Sequence, residues 1–194
     1  MQLGMSKVGV ISLGCDKNRV DTEKMLARIA SSSNSIVGTV EEADIVIINT
    51  CAFIHDAKQE SIDEILNVAS FKNKKIVVTG CLSARYGDIL HNEIPEISAI
   101  MGTNQYDKIN EILSSISQDS YIEELKYKDA FTPDRILTTP PHYAYLKVGD
   151  GCDNHCTYCI IPSIRGRYYS HPIQEIVKEA SQLFDCGVKE IMLV

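Results

Sequence analysis

Residues 143–170, YAYLKVGDGCDNHCTYCIIPSIRGRYYS, decide how the chain is read, because three thiols stand there as C-x3-C-x2-C at Cys152, Cys156 and Cys159. The run 143–148 reads as a strand. It delivers the chain into a loop opened by Gly149 and Gly151, where backbone can wrap closely around a bound group. Three thiolates at this spacing suit a soft metal centre. A tetrahedral structural zinc site needs a fourth ligand, for which His155 is the local candidate. An iron–sulfur cube held by three cysteines instead leaves one iron open to an exogenous ligand, which makes it a place for chemistry.

Outward from this loop, the chain of 194 residues has room for one large domain or two small ones. Hydrophobic residues make up 44% and charged residues 23%. No apolar run approaches the roughly 18 residues of a membrane span, so no membrane partner is expected. The N-terminus has one Lys and a short apolar run ending at Gly14-Cys15, with no small-residue cleavage site, so a cytoplasmic protein is expected. Seven cysteines without a secretion signal point to metal or redox use rather than to a disulfide framework. A net charge of -7 disfavours a dominant electrostatic grip on nucleic acid. Arg165 and Arg167 form a small basic patch, either a solvated loop or an anchor for an anionic group.

Upstream, the pattern is a repeated strand, cysteine and helix. Residues 7–13 read as a buried strand ending at Gly14-Cys15, and residues 43–50 and 75–80 as parallel-type strands that deliver Cys51 and Cys81. Asp21 is the expected N-cap of the first helix, with Met25, Leu26 and Ile29 on its buried face. Asp56 and Gln59 form a box-like cap on the second, with Ile62, Ile65, Leu66 and Ala69 at helical spacing. A short helical piece at 84–90 follows the third strand. A fourth strand at 97–101 precedes a helix bearing Tyr106, Ile109, Ile112, Leu113 and Ile116. The result is an α/β domain with a parallel sheet, in which ligands bind beyond the carboxyl ends of the strands. Cys15, Cys51 and Cys81 all fall on that edge, where helix N-termini favour an anionic group. The bland reading of each alone is a small buried hydrophobe, but together they predict a second metal cluster.

Cys152, Cys156 and Cys159, with Tyr158 before the last, resemble the radical S-adenosylmethionine superfamily. That resemblance implies a [4Fe-4S] cube on these cysteines, S-adenosyl-L-methionine chelating its open iron, and Tyr158 near the adenine. SLGCDKNRVDTE, INTCAFIHDAKQESIDEIL, VVTGCLSARYGDIL and EIPEISAIMGTNQYDKI resemble the N-terminal domain of the methylthiotransferases. This second resemblance implies an auxiliary [4Fe-4S] cluster on Cys15, Cys51 and Cys81, so two clusters in all. It also implies sulfur delivery through the auxiliary cluster, methyl from a second S-adenosyl-L-methionine, and an electron donor such as a flavodoxin or ferredoxin. GC-x-KN with Lys17 and Asn18, CAFIHDAKQESI and CIIPSIRG are similar to the branch that modifies an aspartate of a small-subunit ribosomal protein. The tRNA branch reads GCQMN at the first site, from which Asp16 and Lys17 depart; Arg19 departs from the Leu of the ribosomal-protein branch.

The expected organisation is residues 1–116 for the auxiliary-cluster domain, 117–142 for a linker with turns at Thr132-Pro133-Asp134 and Thr139-Pro140-Pro141, and 143–194 for the first β-loop-α-β unit of a truncated (β/α) barrel. Ser170 is the expected cap of a helix with Ile173, Ile176, Val177, Ala180, Leu183 and Phe184 on its buried face, followed by a strand at 188–194. The chain is expected to be a fragment, inactive alone. Cys186 reads as a buried or half-buried structural thiol. His91, His142 and His171 read as solvent or capping residues, His55 as a surface residue, and Asn18, Asp21 and Asn49 as turn and cap residues. The rival functions are methylthiolation of an adenosine beside the tRNA anticodon and a non-catalytic zinc or iron–sulfur binding module.

Overall fold

The apolar runs become the parallel strands they predict. The computed structural model describes residues 5–103, 105–116, 120–121 and 134–194. Strands β1 (Lys7–Ser12), β2 (Ser35–Ile36), β3 (Ile45–Thr50), β4 (Lys75–Gly80), β5 (Ile97–Met101) and β6 (Ser120–Tyr121) form one sheet in the order β2-β1-β3-β4-β5-β6, with every pairing parallel. Strand β3 is buried at every position, as a central strand covered on both faces must be. Its alternation divides the core. Ile45 and Ile47 pack with Met25 and Ile29 of α1 (Asp16–Ala30) and with Ile109 and Ile112 of α4 (Ile109–Ser114). Val46 and Ile48 face the other way, toward Ile65 of α2 (His55–Ala69) and Leu82 and Leu90 of α3 (Cys81–Glu93).

A second, smaller unit begins with β7 (Tyr143–Leu146), which pairs in parallel with β10 (Glu190–Leu193). Between them runs α6 (Ile173–Asp185), whose Leu183 packs on Ala144, Leu146 and Val188. This is the expected β-loop-α-β unit. The intervening loop is pinched by an antiparallel pair, β8 (Gly149–Asp150) with β9 (Tyr169–Ser170), and carries a short helix, α5 (Ile161–Arg165). Ile164 of α5 is buried in the core of the first sheet. That burial stabilises the contact between the units by about 1.5–3 kcal/mol.

Several local expectations need correction. Helix α1 starts at Asp16 with Cys15 as N-cap, so Asp21 is a buried mid-helix residue and Asn18 sits inside the helix too. Asn49 lies within β3 rather than in a turn. Asp56 is not a cap: α2 starts at His55 after Ile54, and Gln59 donates to Asp63 at 2.8 Å instead. The buried face of α2 takes Val68 while Leu66 is half exposed. Helix α3 begins at Cys81, with a break from helical geometry at Tyr86. Ser170 belongs to β9, and Pro172 precedes α6. Ile173, Val177 and Phe184 are exposed because α6 leans on β7 and Val188 chiefly through Leu183, with Ile176 and Ala180 partly buried. His171 is buried, 4.0 Å from Glu175, whereas Cys186 at the end of α6 is exposed. The Thr132-Pro133 part of the expected turn lies outside the described residues.

Gly80 shows how tightly the sheet edge is built. Its φ is +97°, and an added Cβ would stand 2.4 Å from both the Asn49 Oδ1 and the Thr50 carbonyl. Gly80→Ala is therefore expected to lower stability by roughly 1–3 kcal/mol through backbone strain, with the overlap adding to it. A urea titration would read this as a lower midpoint.

Candidate metal centre

Strands β1, β3 and β4 are neighbours, and their register aligns Ser12 with Asn49 and Asn49 with Thr79. Cys15, Cys51 and Cys81 therefore leave adjacent strands at the same edge. Cys15 becomes the N-cap of α1 and Cys81 the first residue of α3. Gly14, at φ +85°, brings the β1 turn onto Cys51: an added Cβ would lie 2.9 Å from the Cys51 sulfur. Ser61 of α2 holds Cys51 in place, its hydroxyl accepting from the Cys51 N–H at 3.0 Å and standing within donating distance of the Cys51 and Ala57 carbonyls.

Asn18 ties the three turns together. Its Nδ2 donates to the carbonyls of Leu13 at 3.1 Å and Thr50 at 3.0 Å, which precede Cys15 and Cys51, and its Oδ1 lies 3.9 Å from the Cys81 sulfur. Asn49 supports it from β3, donating to the Asn18 carbonyl and to Thr22 Oγ1 at 2.9 Å each. Both amides are fully buried. Asn18 directs its donors to backbone carbonyls just before Cys15 and Cys51, while the Asn49 Oδ1 has no hydrogen-bond partner among the described residues.

The second unit closes the same space. A cavity of about 520 Å³ is lined by Cys15, Cys51 and Cys81 on one side and by Asp150, Ile164 and Arg165 on the other. Arg165, expected as part of a basic surface patch, is buried: Nη1 donates to Asp21 at 3.1 Å and Asp150 at 2.9 Å, while Nη2 reaches Asn18 Oδ1 and lies 3.8 Å from the Cys81 sulfur. Arg167 is exposed. Lys147 completes the network, 2.7 Å from Asp21 and 2.9 Å from Asp150. Lys17 also lines the cavity and donates to the Gly149 carbonyl at 2.7 Å.

Burial pushes the Cys81 thiol up to about 11, against the opposing pull of the Arg165 guanidinium. A metal bound there would have to displace that proton to solvent. Burial would raise Asp150, yet Lys147 and Arg165 outweigh it and hold that carboxyl well below the usual carboxylate range. Arg165 itself loses by burial and gains more from Asp21 and Asp150, so it stays firmly charged. Desolvation lowers Lys17 despite the attraction of Asp150.

The other cysteine set lies on the loop between β8 and α5. Cys152 and Cys159 are half-buried and Cys156 is exposed. The Cys152 N–H donates to Gly166 at 3.1 Å and the Cys159 N–H to Cys156 at 3.0 Å, while His155 adopts a left-handed φ of 47°. Tyr158 is 90% exposed. Gly151 and Ile161, at the two ends of this loop, line the same cavity as the first cysteine set.

The donor chemistry fits iron–sulfur clusters: six free thiols in two groups of three. Among the described residues, no three His, Cys, Asp or Glu side chains converge closely enough to hold a single metal ion. The cavity at the first set far exceeds the roughly 30 Å³ share of one water, a size suited to a polynuclear group. The sequence named the six thiols and offered Arg165 as a candidate anion anchor, but read Asn18 and Asp21 only as turn and cap residues and gave Asp150 no role. Polar residues at 18, 21 and 22, recurring at helical spacing, are the signal that the first helix begins before Asp21 and carries a polar buried face.

The uncharacterized protein family UPF0004 matches residues 7–102, and the radical SAM superfamily matches residues 146–194. The chain is 47% identical over 197 residues to the ribosomal protein uS12 methylthiotransferase RimO of Clostridioides difficile (strain 630), covering 98% of this chain and 44% of that protein. It is 50% identical over 196 residues to the RimO of Clostridium kluyveri, covering 97% of this chain and 44% of the relative. The chain thus spans less than half the length of these curated relatives. A structure of the cobalamin-dependent S-adenosylmethionine radical enzyme OxsB, with aqua-cobalamin and S-adenosylmethionine bound, is similar in fold with a TM-score of 0.54 at 15% identity, over 95% of this chain and 32% of that one.

Proposed function

We propose, from the premise that the chain belongs to the radical SAM methylthiotransferase family, that it provides both cluster sites of an enzyme that methylthiolates an aspartate of ribosomal protein uS12. The observation that carries this reading is the shared cavity: the thiols at one sheet edge face residues that flank the second cysteine loop. When bound, the cube on Cys152, Cys156 and Cys159 supplies the electron that cleaves S-adenosyl-L-methionine for hydrogen abstraction, and the cube on Cys15, Cys51 and Cys81 supplies the sulfur that is then methylated from a second such molecule.

The residues of this chain hold and orient these groups. Asn18 and Ser61 fix the turns that present Cys15 and Cys51. Gly151 and the Gly166 carbonyl shape the loop of the second set, since the Cys152 N–H is held by that carbonyl. Tyr158, which is exposed, takes the place beside the adenine that the family resemblance implies. Ile54, Ile161 and Ile164 give the cavity apolar lining. An electron donor such as a flavodoxin or ferredoxin reaches the second set from its exposed side. Among the described residues, no helix is long and apolar enough to cross a membrane, and a ribosomal substrate places the work in the cytoplasm.

The test is reductive cleavage of the cofactor by an anaerobically reconstituted full-length methylthiotransferase that contains this chain. Release of 5′-deoxyadenosine is expected, rising with uS12 and lost in Cys156→Ala. Stimulation by tRNA rather than uS12 would redirect the substrate to an adenosine. A cluster-loaded protein that never cleaves the cofactor would leave a non-catalytic metal-binding module.

A further inference from the structure

We infer that Arg165 is a positioning residue for the cluster expected at Cys15, Cys51 and Cys81, joining that site to the loop of the second cysteine set; the inference rests on the reading of the first three thiols as cluster ligands. Arg165 ends α5, the short helix that follows Cys159 directly. Its fork divides its work. Nη1 is held by Asp21 and Asp150, at 3.1 and 2.9 Å. Nη2 turns the other way, to Asn18 Oδ1 and to within 3.8 Å of the Cys81 sulfur.

A residue that served only to dock the two units would be satisfied by its carboxylates. The second nitrogen instead touches the one amide that pins the Leu13 and Thr50 carbonyls, and through them the turns of Cys15 and Cys51. Arg165 thus reaches all three ligand turns of the first set, Cys81 directly and the other two through Asn18. It also lines the cavity, which Lys147 of the same ionic network does not. A planar fork serves two directions at once; the point charge of a lysine does not.

The consequence is electrostatic as well as geometric. A fixed positive charge beside a cluster thiolate stabilises the more negative, reduced cluster, so it raises the reduction potential; hydrogen bonds to the sulfurs act in the same sense. The radical loop thereby sets the electronic state of the sulfur-carrying site through one side chain.

The experiment uses the full chain with Cys152, Cys156 and Cys159 changed to Ala, so that a cluster is carried by the first set alone. Its midpoint potential and electron paramagnetic resonance spectrum are recorded in the otherwise unchanged protein and in Arg165→Gln, Arg165→Lys and Lys147→Met. Arg165→Gln is expected to shift the midpoint to lower potential and to alter the spectrum. Arg165→Lys is expected to shift it less, in the same direction, and Lys147→Met, which removes a charge that shares Asp21 and Asp150 with Arg165 but does not line the cavity, to shift it by much less than Arg165→Gln. Unshifted midpoints in both Arg165 variants overturn the inference, and if the Gln variant does not fold, an unshifted Lys variant does so alone. An equal shift in Lys147→Met also overturns it, because docking would then account for the effect. A protein that binds no cluster at the first set overturns both this inference and the functional reading beneath it.

Discussion

Changing Cys15, Cys51 and Cys81 together to Ala should lower bound iron in the reconstituted protein from about eight to about four per chain, with acid-labile sulfide falling in step, as two three-cysteine cubes require. The three positions leave adjacent strands and meet at one cavity, so they act as one site, and removing them leaves the loop of Cys152, Cys156 and Cys159 unbroken. That loop is held by its own backbone contacts and by the β8–β9 pair, none of which uses the first set. In a full-length methylthiotransferase that contains this chain, cofactor cleavage should therefore survive the triple change while sulfur insertion is lost entirely. The fold should survive as well, since the Cys81 thiol gives up only its long contacts with Arg165 and Asn18, at 3.8 and 3.9 Å, and Ala is compatible with a helix start or a strand end. Four irons unchanged by the substitution would mean that the first set carries no cluster. One zinc with no sulfide would leave a structural metal site.

Asp21→Asn should cost about 3–5 kcal/mol of stability, because it strips a buried carboxylate from two buried cations. Lys147 and Arg165 both point at Asp21, at 2.7 and 3.1 Å, and the side chains of all three are almost wholly shielded from solvent. Asp150 alone would then face two positive charges. The loss is not that of one salt bridge, for Asp21 stands on α1 while Lys147 and Arg165 belong to the second unit. Breaking it loosens the contact between them. Glu23 and Lys24 on the same helix make the companion contacts, Glu23 accepting from the Thr138 N–H at 2.7 Å and Lys24 lying 3.8 Å from Glu179. These keep the units associated, so the effect should appear as a lowered, broadened unfolding transition rather than as failure to fold. Calorimetry of the purified variant checks both the size and the shape.

The strands and the thiols were legible in the sequence because they depend on local signals. A parallel strand buried on both faces must be a continuous apolar run, as Ile45, Val46, Ile47 and Ile48 are, and a cysteine just past such a run must lie at the carboxyl edge. The first helix was misjudged at its start because Asn18, Asp21, Glu23 and Lys24 look like residues of a turn or a solvated cap. They are buried because the second unit lies on them. Arg165 was obscure for the same reason: its partner Asp21 stands 144 residues away, and a single sequence carries no sign of that pairing. The exposed faces of Ile173, Val177 and Phe184 show the converse, since helical spacing identifies an apolar stripe without saying how much of it a neighbour covers.

The most direct test of the whole account is mass spectrometry of ribosomal protein uS12 after incubation with a reconstituted full-length methylthiotransferase that contains this chain, S-adenosyl-L-methionine, a sulfide source and a reductant, with tRNA treated in parallel. The account predicts that one aspartate of uS12 exchanges a hydrogen for a methylthio group, that tRNA is unchanged, and that either Cys81→Ala or Cys156→Ala abolishes the product. Unmodified uS12 beside a methylthiolated adenosine in the tRNA would contradict it.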